Sequence, residues 1–91
     1  DVKGELRIQR SSDPQIRWRD TDNNYEFTQW IDSSESGILR LSGCAGGSCN
    51  YNLMAIDPNT GNIGIGTTTP SEKLQVIGKV KAQEFIIGDI V

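Results

Sequence analysis

The sequence predicts an all-β protein built from short strands that follow one another as a meander. Apolar residues recur at every second position in eight short stretches, which is the period of a strand with two different faces. Clusters of Asp, Asn, Ser, Gly and Pro separate these stretches and are typical of turns. No stretch has the longer period of an amphipathic helix. These observations favour a single β module over residues 1–91, with no linker that divides it.

The alternating stretches predict the strands in chain order. They are Leu6/Ile8, Ile16/Trp18, Tyr25/Phe27, Leu39/Leu41, Tyr51/Leu53/Ala55, Ile63/Ile65, Leu74/Val76 and Val80/Ala82. The alternation breaks at residues 29–31, where we expect a bulge or a strand end. Trp18 and Phe27 keep the phase of inward residues, so we expect a small β unit to bury both in its own core.

One segment near the C-terminus alternates isoleucine with glycine. Ile63 and Ile65 place apolar side chains on one face of a short strand, while Gly64 and Gly66 leave the other face bare. A bare face indicates that another backbone approaches closely. The following residues, Thr-Pro-Ser-Glu, fit a capping box with proline at the first helical position and predict one short helical turn near Pro70.

The whole segment GNIGIGTTTPSEKLQVIGKVKA resembles the Gly-Ile-Gly, Thr-Pro and Lys-Leu-x-Val segment of bacteriophage tail-fibre and tail-spike proteins. Similar segments occur in bacterial surface fibres. The resemblance is closest over residues 56–85, whereas residues 1–55 share only the style of short strands and polar turns. In that family the segment usually precedes a chaperone domain that trimerises the fibre and then cleaves itself off. Residues 1–91 do not include such a domain, so no self-cleaving activity is carried over.

The resemblance implies a homotrimer, and the composition favours the same conclusion. A chain of 91 residues with 35% hydrophobic and 7% aromatic residues cannot enclose a large core alone. We expect oligomerisation to supply the missing burial. The residues expected to contact neighbouring chains near a threefold axis are Ile63, Gly64, Ile65, Gly66, Leu74 and Val76.

Charge and residue types argue against several functions. The net charge of −3 disfavours a nucleic-acid partner, because phosphate binding needs clustered Lys and Arg. The sequence contains no apolar run long enough to predict a membrane-spanning segment. The chain has no histidine, which removes the usual general base and the commonest transition-metal ligand. We therefore expect no catalysis, no cofactor and no metal site.

Cys44 and Cys49 are separated by four residues that include two adjacent glycines, and this spacing predicts a local disulfide. A zinc or iron–sulfur site is a weaker interpretation, because one chain offers too few ligands. A disulfide is typical of oxidising compartments, so we expect an extracellular location, on a virion or on a cell-surface fibre.

Two further patterns leave alternatives open. The stretch from Asp20 to Glu26 has oxygen ligands at alternate positions, as a calcium loop does, but Tyr25 stands where that loop needs glycine, so a polar hairpin turn is the preferred interpretation. The aromatic residues Tyr25 and Trp30 are less clearly core residues than Trp18, and exposed rings can stack on sugars. Both are candidate ligand contacts.

The sequence thus predicts a structural stalk or collar module of a homotrimeric fibre, joined to adjoining fibre segments. One alternative is a glycan-binding adhesin module that uses Tyr25 or Trp30 to contact a cell-surface glycan. Another is a subunit of a secreted filament with head-to-tail contacts. A hydrolase would need converging carboxylates, and the acidic residues stand in turn-like surroundings that give no reason for convergence.

Overall fold

The computed structural model describes residues 4–88. It has one six-stranded β-sheet between residues 15 and 76, which confirms the all-β prediction. The strands are β1 (Gln15–Asp20), β2 (Tyr25–Asp32), β3 (Ile38–Ala45), β4 (Ser48–Ile56), β5 (Ile63–Ile65) and β6 (Leu74–Val76). Their order in the sheet is their order in the chain. Neighbouring strands are antiparallel from β1 to β5, whereas β5 and β6 are parallel.

Six of the eight alternating stretches form these strands, and the first and the last do not. The prediction of strands at Leu6/Ile8 and Val80/Ala82 is wrong, because residues 4–14 and 77–88 contain no strand. Leu6 and Val80 are exposed. Alternation alone does not create a strand when no neighbouring strand pairs with the backbone.

The predicted break at residues 29–31 is also wrong. Strand β2 keeps one register with β3 along its whole length, from Tyr25 to Asp32. The sheet is irregular elsewhere, between β3 and β4, where Leu41 pairs with Met54 but Gly43 pairs with Asn50. Three residues of β4, numbers 51–53, therefore lie opposite one residue of β3. This bulge changes which face the β4 side chains point to.

A tight hairpin turn joins β3 to β4. Gly46 and Gly47 have φ angles of 58° and 88°, and a two-residue type I′ turn requires positive φ at both central positions. The turn places Cys44 directly opposite Cys49. The two residues form a disulfide, which confirms the sequence prediction.

The turn between β1 and β2 is held by Asp20. Its Oδ1 accepts hydrogen bonds from the backbone N–H groups of Asp22 (3.1 Å) and Asn23 (3.2 Å), and its Oδ2 accepts one from the Asn23 side chain. These bonds, with the side-chain bond from Asn23 the largest contribution, lower the pKa of Asp20. The carboxylate organises the turn, and within residues 4–88 no cluster of three metal-ligating side chains occurs.

The predicted helical turn near Pro70 is absent, because side chains satisfy the backbone groups in another way. The Ser71 N–H donates to Oε1 of Gln75 at 2.8 Å, and Nδ2 of Asn62 donates to the Pro70 carbonyl at 3.2 Å. Residues 66–73 form a bent connection that leads from β5 to the parallel strand β6. The helical element found in the described chain is instead a single 3₁₀ turn at Ser33–Glu35, capped by Asp32.

The small core lies on one side of the sheet, which we call the polar face. The buried side chains of the strands are Asp32, Ile38, Ser42 and Ala55. The strand register places all four on this face. The bent connection crosses the same face, because a methyl group added at Gly64, which pairs with Ala55, would clash with the carbonyl oxygen of Thr67.

Candidate assembly surface

The opposite side of the sheet is lined mostly by apolar side chains, and we call it the apolar face. Trp18 pairs with Phe27 and Phe27 pairs with Gly43, so these residues share one face. Extending the register across the sheet also places the polar residues Asp20, Gln29 and Asn50 on this face. Its large apolar residues are Ile16, Trp18, Tyr25, Phe27, Ile31, Leu39, Leu41, Leu53, Met54, Ile56, Ile63, Ile65, Leu74 and Val76.

The aromatic residues of this face are exposed, which corrects the expectation that Trp18 and Phe27 are core residues. Trp18 is 57% exposed, Phe27 is 59% exposed and Tyr25 is 54% exposed. Trp18 and Phe27 are paired and lie on one face of the sheet. The described chain is a single layer, however, so this face has no second layer of the same chain against which to pack.

A broad hollow occupies the apolar face beside the aromatic residues. Gly43 lines it, and the side chains of Phe27 and Leu53 pack directly against this glycine, because a Cβ at this position would lie 3.0 Å from Cε1 of Phe27 and 3.1 Å from Cδ1 of Leu53. The hollow has a volume of about 540 Å³, and Tyr25 and Ala45 also line it. Sequence reasoning did not assign Gly43 or Leu53 to this surface, because Gly43 reads as part of a turn cluster and the β4 bulge changes the phase of Leu53.

The C-terminal strands extend the same surface. Ile63 pairs with Ile56 on one side and with Leu74 on the other, and Ile65 pairs with Val76. Leu74 is 60% exposed and Ile65 is 42% exposed. The structure thus brings the four apolar residues predicted to contact neighbouring chains onto one face with the aromatic residues. Their contact with neighbouring chains stays a prediction.

Gly64 and Gly66 have a different environment from the one expected. The close backbone belongs to the same chain: Thr67 lies against Gly64, and Ile77 lies 3.3 Å from where a Cβ of Gly66 would be. Gly66 also has a φ of 81°, which favours glycine. Both glycines are therefore explained without a neighbouring chain, and their predicted role at a trimer axis stays untested.

The structure does not bring the two candidate ligand contacts together. Tyr25 and Trp30 are five residues apart in one regular strand, so they point to opposite faces. Tyr25 belongs to the apolar face. Trp30 lies on the polar face, where the Arg40 guanidinium is 4.8 Å from its ring centroid. A single sugar-stacking platform made of both rings is not formed.

Arg40 is the centre of a polar network on the polar face. Its Nη1 is 2.7 Å from Oδ2 of Asp32, and both side chains are almost buried. Its Nη2 donates to the Tyr51 carbonyl at 2.8 Å and to Oδ1 of Asn52 at 2.7 Å. The Ser34 hydroxyl, 2.6 Å from Oδ1 of Asp32, together with Arg40 keeps the pKa of Asp32 below its ordinary value despite burial.

No protein-family model matches the chain, and no curated protein matches it. The tail-fibre resemblance therefore rests on the segment at residues 56–85 alone.

Among the described residues, no helix is long and apolar enough to cross a membrane.

Proposed function

We propose that this chain is a structural module of an extracellular homotrimeric fibre, a stalk or collar that has no catalytic role. One observation supports assembly above all others: the apolar face exposes three aromatic rings at more than half of their surface, while Ile38 and Ala55 are the only buried apolar residues of the strands. Monomeric soluble proteins rarely expose large contiguous apolar patches. Burial against further copies of the chain removes this surface from water.

The size of the face suits a stable interface. Strands β1 to β4 have between 6 and 9 residues. With strands about 4.8 Å apart and about 3.3 Å per residue, the projected area of the sheet is on the order of 600 Å². Side-chain relief increases the accessible area above this value. A standard interface buries about 800 Å² per partner, so one such face is of the size that a specific assembly needs.

The number of chains and the setting come from other observations. The resemblance of residues 56–85 to tail-fibre segments supports three chains rather than two. The Cys44–Cys49 disulfide supports an oxidising, non-cytoplasmic environment. In a trimer the three apolar faces turn inward, and the three polar faces turn toward solvent. Intersubunit burial then replaces the core that one chain lacks.

Native mass spectrometry of the purified chain at micromolar concentration tests this proposal. We expect a species with three times the 10.0 kDa mass of one chain. Phe27→Asp places a charge on the apolar face and should dissociate the trimer. Tyr51→Asp is the matched control, because Tyr51 is 57% exposed, close to the value of Phe27, but it lines the polar face.

The masses of the parent chain and of the two variants distinguish the possible outcomes. A folded monomer of the unmodified chain would overturn assembly, and a dimer would overturn the threefold arrangement. Equal dissociation by Phe27→Asp and Tyr51→Asp would show that the apolar face is not the contact surface. Dissociation by Phe27→Asp alone supports the proposal.

A further inference from the structure

A groove crosses the polar face, and the strand register explains why it is there. Thr28 and Ser42 are directly opposite one another in β2 and β3, and their short side chains form the low centre. Trp30 rises on one side of this centre. The Cys44–Cys49 disulfide rises on the other side. A row of two hydroxyl residues between two bulky features thus leaves a depression of about 380 Å³.

The β4 bulge adds an aromatic ring to the groove. Tyr51 lines the groove, whereas Leu53, two residues later, packs at Gly43 on the apolar face. In a regular strand these two residues would share a face. The bulge therefore sends Tyr51 to the groove side, where its ring is more than half exposed and free to stack on a ligand.

The second aromatic residue, Trp30, is held in place before any ligand arrives. Arg40 lies over its ring at 4.8 Å, and Arg40 itself is fixed by Asp32 and by the carbonyl of Tyr51. A ring that is already ordered loses little conformational entropy when it binds a ligand. The same Arg40 network connects Trp30 with the backbone of the Tyr51 bulge, because Nη2 of Arg40 donates to the Tyr51 carbonyl.

The charges that line the groove are balanced. Arg10 and Arg17 contribute two positive charges, and Asp13 and Glu26 contribute two negative charges. Nε of Arg17 lies 3.0 Å from Oε1 of Glu26, so part of this charge is already paired. A balanced lining does not select a strongly charged ligand, because any net charge would meet equal attraction and repulsion. Hydroxyl and amide groups supply the remaining polar contacts.

We propose that this groove binds a small uncharged saccharide, a mono- or disaccharide. Two aromatic groups, two hydroxyls and a paired charge are groups that stack on and hydrogen-bond to a polyhydroxylated ring. The volume is at the small end of the range of about 300–1,000 Å³ for ligand sites. The site uses Trp30 with Tyr51 rather than with Tyr25. It does not depend on the oligomeric state, because it lies on the face opposite the assembly surface.

The test is a screen of neutral mono- and disaccharides, followed by titration of the best binder. The chain has two tryptophans, so Trp18→Phe leaves Trp30 as the sole fluorescence reporter at the groove. We expect saturable binding with a change in Trp30 emission. Tyr51→Ala and Thr28→Val should each weaken binding at least tenfold, since the first removes the stacking ring and the second removes a hydroxyl without changing side-chain size.

Tyr25→Ala is the matched control, because Tyr25 is the same residue type with 54% exposure but lies on the apolar face. It should leave saccharide affinity unchanged. Absence of any neutral saccharide binding at millimolar concentration would overturn the proposal. Preference for acidic sugars over neutral ones, or loss of binding in Tyr25→Ala with retention in Tyr51→Ala, would overturn it as well. Melting temperatures of all variants separate lost contacts from lost folding.

Discussion

The two faces of the sheet differ in how their residues are used. The polar face contains every buried side chain of the strands, the Asp32–Arg40 ion pair and the connection that covers Gly64. The apolar face contains exposed aromatic and aliphatic side chains that lack a covering layer within residues 4–88. Specific polar links and small apolar residues therefore stabilise the single chain. The large apolar residues remain available to stabilise an assembly, so changes on the two faces should have different consequences.

The largest effect on the stability of the chain itself is expected for Asp32→Asn. Removing one partner of a buried ion pair leaves the other charge uncompensated, which costs about 3–5 kcal/mol. We expect a loss of this size in the free energy of unfolding, measured by urea denaturation, with no change in oligomeric state before unfolding. Glu26→Gln breaks the more exposed pair with Arg17 on the same face and should cost only about 0–1 kcal/mol. Equal losses in the two variants would contradict the central role given to Asp32.

A smaller effect is expected for Gly64→Val, and it distinguishes contacts within the chain from contacts between chains. The added side chain meets Thr67 of the same chain, and overpacking of this kind costs about 1–3 kcal/mol. The loss should appear in thermal unfolding and should be the same at different protein concentrations. Gly88→Val is the control, since a Cβ there meets nothing within 4 Å. A loss that grows on dilution would show that Gly64 contacts a neighbouring chain after all.

Reduction of the Cys44–Cys49 disulfide should lower stability by about 2 kcal/mol, because the closed loop is short. The β3–β4 hairpin should persist, since Gly46 and Gly47 already have the backbone conformation that the turn needs. Denaturation with and without reductant gives the stability change, and hydrogen exchange of the β3 and β4 amides reports on the hairpin. Loss of amide protection along both strands would mean that the disulfide, rather than the turn, determines the register.

The last prediction concerns stability in acid, and it depends on the same carboxyl group of Asp32. The pKa of this carboxyl is lowered in the folded chain, first by the Ser34 hydroxyl and then by Arg40. Its contribution to stability is therefore complete above the pKa of the unfolded chain and is lost as pH falls through the folded pKa. The pKa values of Asp20 and Asp57 are lowered too. Both residues are present in the parent chain and in Asp32→Asn, so they do not contribute to the difference between the two. The difference in the free energy of unfolding between the parent chain and Asp32→Asn, measured as a function of pH, should therefore decrease only in the acidic range.

Sequence periodicity was sufficient for the fold class and for most strands. The prediction is confirmed for the stretches Ile16/Trp18 and Tyr25/Phe27. Each is bounded by turn residues, and the two strands pair with one another. Leu6/Ile8 had the same alternation but has no partner strand in the described chain. A periodic pattern records which side of a strand is apolar, whereas pairing depends on which backbone lies next to it. The presence of a neighbouring strand cannot be deduced from the residues of one stretch alone.

The site was harder to predict for two physical reasons. The prediction that Trp18 and Phe27 are buried in the core of the chain is wrong, because periodicity shows that both lie on one face but not whether the same chain covers that face. Tyr51 and Leu53 share a phase in the sequence, and only the bulge shows that they serve different faces. Trp30 is out of phase with the apolar residues Tyr25 and Phe27 of the same strand. The reason is that its ring lies on the other face of the sheet, where it packs with Arg40.

The strand order also determines when assembly can occur. Every strand pairs with its neighbour in the sequence, so each pairing closes a short loop and the sheet requires no distant encounter within the chain. Strand pairing within one chain therefore closes only short loops, and it needs no second chain. In the single chain the rings of Trp18, Tyr25 and Phe27 face water. For the assembly that we propose, a high local concentration of sister chains during synthesis would favour burial of these rings between chains over aggregation.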